Sequence, residues 1–189
     1  NRHVAYRLAE QQVIKLEQRG QRRQCDEAMQ AYVSKGHSRR VYDNPPQAYY
    51  IPSHAVIKPG STTEVRMVLN CSFAKRGELS LNDTLLKGFA GQNDLQGVLL
   101  RWRLAPYVMT ADIQKAFLQI VVAPEDRSYL RYFWPEAGNR QPVAYEMERV
   151  GFGAHASPFL LYAVLRKTFE VTDDPTLRTM VKDLYMEVA

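Results

Sequence analysis

The chain has 189 residues, 46% hydrophobic and 24% charged, with a formal net charge of +5, enough apolar material for one core of ordinary size plus a helical extension. Its longest apolar runs, such as LLYAVL at 160–165, fall far short of the roughly 18–20 residues that span a bilayer, so no membrane partner is expected. NRHVAYRLAEQQ has no apolar signal core and two cysteines, Cys25 and Cys71, make no disulfide framework; an intracellular protein, cytoplasmic or nuclear, is expected.

The charge has a location. Residues 1–41 carry nine Lys or Arg against four acids, while residues 42–189 carry sixteen of each. A polyanion can dock on such a segment, although on charge alone a solvated amphipathic helix is the commoner reading. Val4, Leu8, Val13, Leu16, Ala28, Met29, Tyr32 and Val33 recur at helical spacing, Gly20 interrupts them and Gly36 ends them, which predicts two helices. From Ala48 the pattern becomes β-rich: YYIPSHAVI, a turn at PGST, then VRMVLNCS predict a hairpin over about 48–73. Leu79–Asn82 and Gly88–Gly91 read as connecting loop. NDLQGVLLRWRL predicts a helix with Leu95, Val98, Leu99 and Trp102 on one face, packed on a sheet. Runs at 107–113, 118–123, 129–134 and 142–148 predict the strands of that sheet. Ser157 as N-cap and Pro158 at the first helical position open a helix, and Asp174 caps a second that runs to about Lys182. Irregular alternation of strands and helices makes the class α+β.

Asp112 ends the run YVMTADI, where a carboxylate can hold a hard cation and the amides that follow can meet a phosphate. Taken alone, a strand-end Asp is more often a turn or helix cap. Two Cys and four His form no zinc-type ligand pairs, and no GxxxxGK[ST] loop is present.

Five blocks then occur in order: YYIPSHAVIKPGSTTEVRMVLNCS, LSLNDTLLKG, LRWRLAPYVMTADIQKAFLQIVVAPEDRSYLRYFW, RVGFGAHASPFL and DLYMEVA. In these blocks the chain resembles the reverse transcriptases of long-terminal-repeat retrotransposons, and looks closest to the BEL/Pao group. The resemblance implies the fingers and part of the palm of a right-hand polymerase. Residues 1–41 are then a basic helical N-terminal extension, 42–106 the fingers, and 107–189 an antiparallel palm truncated at the catalytic carboxylate motif.

By the same resemblance Asp112 is a catalytic, metal-binding carboxylate, Phe117 the aromatic that blocks a 2′-hydroxyl, and Ile113 a neighbour of the nucleotide. Lys58 and Arg66 match the fingers residues that hold a triphosphate, a fit supported by the point charge of Lys and the fork of Arg. Gly153 matches the glycine that lets backbone approach the nucleotide, while His155 occupies a variable position and has no assigned role. Where the family carries two aspartates after a Tyr and a variable residue, this chain has Glu187 and Val188 after Tyr185 and Met186. Glu187 is then the second catalytic and metal ligand, and Val188 offers no oxygen. Asn70 likewise replaces an acid usual in the fingers block. The implied activity is RNA-directed DNA polymerisation, impaired by this motif. The implied cofactor is Mg²⁺ or Mn²⁺ in a two-ion site. The implied partners are an RNA or DNA template with primer, deoxynucleoside triphosphates and the remainder of a Pol polyprotein. The alternative is a non-catalytic retroelement-derived domain that binds RNA or a protein.

Overall fold

The computed structural model describes residues 1–60, 64–89, 91 and 93–185. Two helices come first, α1 (Arg2–Gln18) and α2 (Arg22–Ser34). Each ends on a glycine at positive φ, Gly20 at 66° and Gly36 at 65°. Both ends close alike: Gln21 N donates to Leu16 O and His37 N to Tyr32 O, a Schellman pattern that only the left-handed glycine permits without strain. In α1 the buried line is Ala5, Ala9, Val13 and Leu16 rather than the larger Val4 and Leu8, which are half-buried beside it. Small side chains let the helix approach closely: Ala5 and Ala9 pack with Tyr50 and Phe133, and Tyr6 meets Phe133 edge-on at 5.3 Å.

The hairpin forms where the pattern predicts it. Strands β2 (Ser53–Ile57) and β3 (Val65–Leu69) pair antiparallel with Val56 opposite Arg66, following β1 (Ser38–Arg40) in the chain. Short α3 (Leu81–Thr84) starts at a reciprocal cap in which Asp83 N donates to the Ser80 hydroxyl and Ser80 N to the Asp83 carboxylate. Helix α4 (Leu95–Leu104) is capped by Asp94, which accepts from Gln96 N and Gly97 N. Strands β4 (Arg131–Pro135) and β5 (Pro142–Met147) follow, then α5 (Ser157–Val171) and α6 (Pro175–Met180).

The main sheet differs from the expected one. It is antiparallel with order β1-β5-β4, and its outer strand β1 comes from SRR at 38–40, a run with no apolar signal that pairs as Arg39 opposite Glu146. The expected strand at 107–113 is absent: among the described residues nothing pairs with it, and a strand without a ladder leaves its amides to water. The expected strand at 118–123 is reduced to a bridge between Val121 and Arg149, because 116–119 winds into a 3₁₀ turn first. Helix α4 does not pack on the sheet; none of its residues is buried. Ser157 is not the cap of α5. Ala156 holds that position, Ser157 lies within the first turn, and its hydroxyl donates to Gly151 O at 2.9 Å. Asp174 does cap, accepting from Thr176 N at 2.8 Å.

The principal core joins Leu16, Met29 and Tyr32 from the helices to Ile51, Met67 and Leu69 of the hairpin region and Tyr132, Trp134 and Met147 of the sheet. Burying each large side chain contributes roughly 1.5–3 kcal/mol, so this cluster fixes how helices, hairpin and sheet sit. One ionic group is inside: Arg131 and Glu146, each with a side chain 3% exposed, pair at 3.1 Å. Arg39 and Asp43 complete the network, which leaves neither buried charge uncompensated. Among the described residues no helix is long and apolar enough to cross a membrane.

Candidate functional site

The hairpin wall, α4, the extended run that follows it and the turn at 116–119 enclose a groove of about 1110 Å³. Arg66 enters it from β3, where its register opposite Val56 leaves the guanidinium exposed beside the turn. Asp112 and Ile113 line it from the extended run, whose residues 105–114 are all exposed. Phe117 lines it from the 3₁₀ turn, half-buried, its ring edge-on to Phe152 at 5.3 Å and 75°. Tyr185 lies along the same groove. Four side chains from three separate stretches of sequence thus meet around one space: a guanidinium fork, a carboxylate, an aromatic ring and a phenol. That set can hold an anion, present an oxygen to a cation and seat a ring-sized group.

Lys58 and Gly153 are adjacent to this assembly without lining it. Lys58 follows β2, exposed, and its amide donates to Glu64 O at 2.7 Å, which closes the base of the hairpin turn. Gly153 has φ +116, and a Cβ there would run into the Leu69 carbonyl, so only glycine lets 151–153 lie against β3. Phe152 O accepts from Leu69 N at 3.0 Å across that contact. Glu187, with Met186, Val188 and Ala189, lies outside the described residues.

Asn82, which composition and spacing do not single out, locks this junction. Its buried amide donates to Ser72 Oγ at 2.8 Å and to Gly153 O at 3.0 Å, and its oxygen accepts from His155 N at 2.8 Å. The signal available in sequence is the S-x-x-D cap at Ser80 that sets α3 and so aims Asn82 inward. Hydrogen bonds from the Ser80 hydroxyl and amide hold the Asp83 carboxyl below its ordinary value. His155 contributes its backbone here and does not line the groove.

The described donor set does not complete a site for Mg²⁺ or Mn²⁺. A hard cation takes about six oxygens, and no group of three or more His, Cys, Asp or Glu gathers around Asp112 among the described residues. The other acids lining the groove include Glu27 and Asp183, which are ion-paired with Arg23 and Arg101.

A scan against protein-family models finds no match for this chain, and a search of curated proteins finds none either.

Proposed function

We propose that the chain is the fingers and partial palm of a retrotransposon reverse transcriptase of the BEL/Pao kind, an RNA-directed DNA polymerase with an impaired catalytic motif. The observation that supports this reading is the convergence of Arg66, Asp112, Ile113 and Phe117 on one groove, since the ordered sequence blocks assign those four to a single nucleotide. A deoxynucleoside triphosphate brings a polyanion for Arg66, with Lys58 on the same hairpin. Its sugar would stack on Phe117, whose volume disfavours a 2′-hydroxyl. Asp112 with Glu187 is the pair proposed to bind Mg²⁺ or Mn²⁺, the metals on which attack by a primer hydroxyl would depend. Template and primer would lie along the groove.

Impairment follows from the side chains themselves. Glu187 is longer than the aspartate of the resembled motif, and Val188 offers no oxygen. A misplacement of about 1 Å can cost roughly a hundredfold in rate. The same Val188 favours a second reading, a retroelement-derived domain that keeps the fold and binds RNA or a protein without catalysis.

The test has two arms. Deoxynucleotide binding with Mg²⁺ or Mn²⁺, read by calorimetry, should weaken about tenfold in Arg66→Gln, the size of one charge-assisted hydrogen bond. Primer extension should be very poor as the chain stands, rise with Glu187→Asp and Val188→Asp together, and fall back when Asp112→Asn is added. Absence of deoxynucleotide binding with either metal would overturn the polymerase reading. Extension by the unmodified chain at the restored rate would overturn the impairment.

A further inference from the structure

A second set of charged groups stands at the groove and has no role in the reading above. His37 and Lys115 both line it. The tight end of α2 brings Lys35 and His37 together: Gly36 N donates to Val33 O at 3.0 Å and His37 N to Tyr32 O at 2.8 Å, so the chain reverses between them. The end of β5 then closes on that turn. Glu148 N donates to His37 O at 2.9 Å, and the Arg149 guanidinium reaches Gly36 O and Gln119 O. Lys115 arrives from the other side in a left-handed backbone conformation, φ 53, the single non-glycine residue with positive φ among those described. Such strain persists only where the surroundings impose it, and it tends to mark functional positions. Lys115 and Lys35 are near enough for the charge of one to disfavour that of the other.

Four cationic or protonatable groups from three segments therefore come together, and among the described residues none of them is ion-paired. The adjacent acid, Glu148, is committed to Arg127 at 2.7 Å and to Arg39 at 3.8 Å. Tyr32, edge-on to the His37 ring at 5.6 Å, adds no charge at neutral pH. The cost shows in the groups themselves. Burial, then Lys115, Arg149 and Lys35, hold His37 below its ordinary value, and burial followed by Lys35 lowers Lys115.

We propose that Lys35, His37, Lys115 and Arg149 form a phosphate-binding site separate from Lys58 and Arg66. A phosphate suits it better than a carboxylate. It carries more charge and more acceptor oxygens, and it can take donors from several directions at once, Lys as a point charge and Arg as a fork. The phosphate can belong to a small free anion or to the backbone of a nucleic-acid strand, and the proposal holds whether or not the chain polymerises.

The experiment uses inorganic pyrophosphate and a single-stranded DNA oligonucleotide as probes. Each is titrated into the protein, into Lys35→Gln with Lys115→Asn, into the charge-keeping Lys35→Arg, and into Lys167→Gln, an exposed position of α5. Asn is chosen at 115 because it tolerates the left-handed backbone. Lys35→Gln alone changes an exposed side chain, so it preserves a folded reference should the double variant unfold. Pyrophosphate affinity should fall about tenfold in the double variant, and hold in Lys35→Arg and Lys167→Gln. A strand phosphate would show instead as a salt slope shallower by about 1.4, at roughly 0.7 per phosphate contact. Either loss supports the site and says which source it serves. Bound anion should also raise the titration midpoint of the His37 ring in NMR, because it neutralises the surrounding repulsion. Equal binding of both probes by the protein and the variants, with the His37 ring unmoved, overturns the proposal, as does no binding of either.

Discussion

Trp134 and Trp102 are the two tryptophans of the chain, and they stand for two regions built on different terms. Trp134, in β4, is 2% exposed, packs in the principal core, and donates its indole N–H to Asp26 at 3.1 Å. Trp102, in α4, is 44% exposed on the wall of the groove. Around Trp134 the helices, hairpin and sheet are tied by buried side chains and by the Arg131–Glu146 pair. From Leu95 to Gln114 no described residue is buried, although the run is as rich in Leu, Val and Met as any core segment. Apolar composition thus makes a core only where a second surface meets it. The candidate site bridges the two regions, with Arg66 and Phe117 on the packed side and Asp112 on the open one. Sparse burial around Asp112 is also what a binding segment needs if it is to adjust to a ligand.

The sharpest way to break the comparison is to truncate both tryptophans. Trp134→Ala should cost about 3–5 kcal/mol, since it removes buried area, leaves a cavity and strands Asp26 without its indole donor. Trp102→Ala should cost about 1 kcal/mol or less, because nearly half of its surface is already in water. Urea denaturation with a common slope reads both. Similar losses for the two would mean that α4 is held as firmly as the sheet.

Glu146→Ala tests the packed side by charge rather than volume. It leaves the Arg131 guanidinium buried with Asp43 as its remaining partner, and Asp43 is largely exposed. A loss of about 3 kcal/mol is expected, in line with uncompensated buried charges elsewhere. Stability unchanged in urea would mean that water or Asp43 already satisfies Arg131.

How much of this was legible in the sequence divides along the same line. Gly20 and Gly36, the hairpin, the cap at Asp174 and the start at Ser157 are local signals, and the elements they announce are present, the hairpin with shorter strands at 53–57 and 65–69. Strand β1 was not legible, because Ser38-Arg39-Arg40 becomes a strand only through β5, a hundred residues on. The run at 107–113 erred the other way: Tyr107, Val108 and Met109 have strand-like side chains but no described neighbour to pair with. In the site, Arg66, Asp112, Ile113 and Phe117 were named from sequence blocks and do line one groove, Lys58 and Gly153 flank it, and Glu187 falls outside the described residues. Asn82 and the cluster of Lys35, His37, Lys115 and Arg149 went unread, since no spacing along the chain links a helix end, a turn and a strand end.

Alkaline pH should separate the regions as well, because the titrating groups that the fold buries are all in the packed one. Burial, with Asp26 adding to it, pushes the Cys25 thiol up to about 11, and burial alone pushes Cys71 up to about 12. Unfolded thiols titrate near 9.0. A folded value above the unfolded one means stability that is whole below pH 9 and is lost as pH rises toward 11 for Cys25 and 12 for Cys71. The slope is up to about 1.4 kcal/mol per pH unit for each thiol. Tyr132 and Tyr32, also raised by burial, act in the same direction above pH 10. Thermal melts should therefore decline from pH 9 upward, and Cys25→Ala with Cys71→Ala should flatten the first part of the decline. A flat profile in the parent protein would place both thiols in water.

The smallest effect belongs to the open region. Leu104 closes α4 with 84% of its surface exposed, so exchanging it for lysine removes little from any apolar contact. A cation in the last turn also faces the partial negative charge at a helix C-terminus, worth roughly 0.3–1 kcal/mol in favour. Against it stands Arg101, three residues back, whose charge repels another cation although Asp183 pairs with it. The two tendencies nearly cancel, and Leu104→Lys should leave stability within about 0.5 kcal/mol of the parent. Leu69→Lys, by contrast, puts the same ammonium into a position 4% exposed among the apolar side chains of the principal core, where desolvation opposes it. Measured side by side in urea, the pair holds chemistry constant and varies only burial. If Leu104→Lys costs more than about 1 kcal/mol, α4 covers its apolar surface in solution with something that its packing against the rest of the chain does not account for.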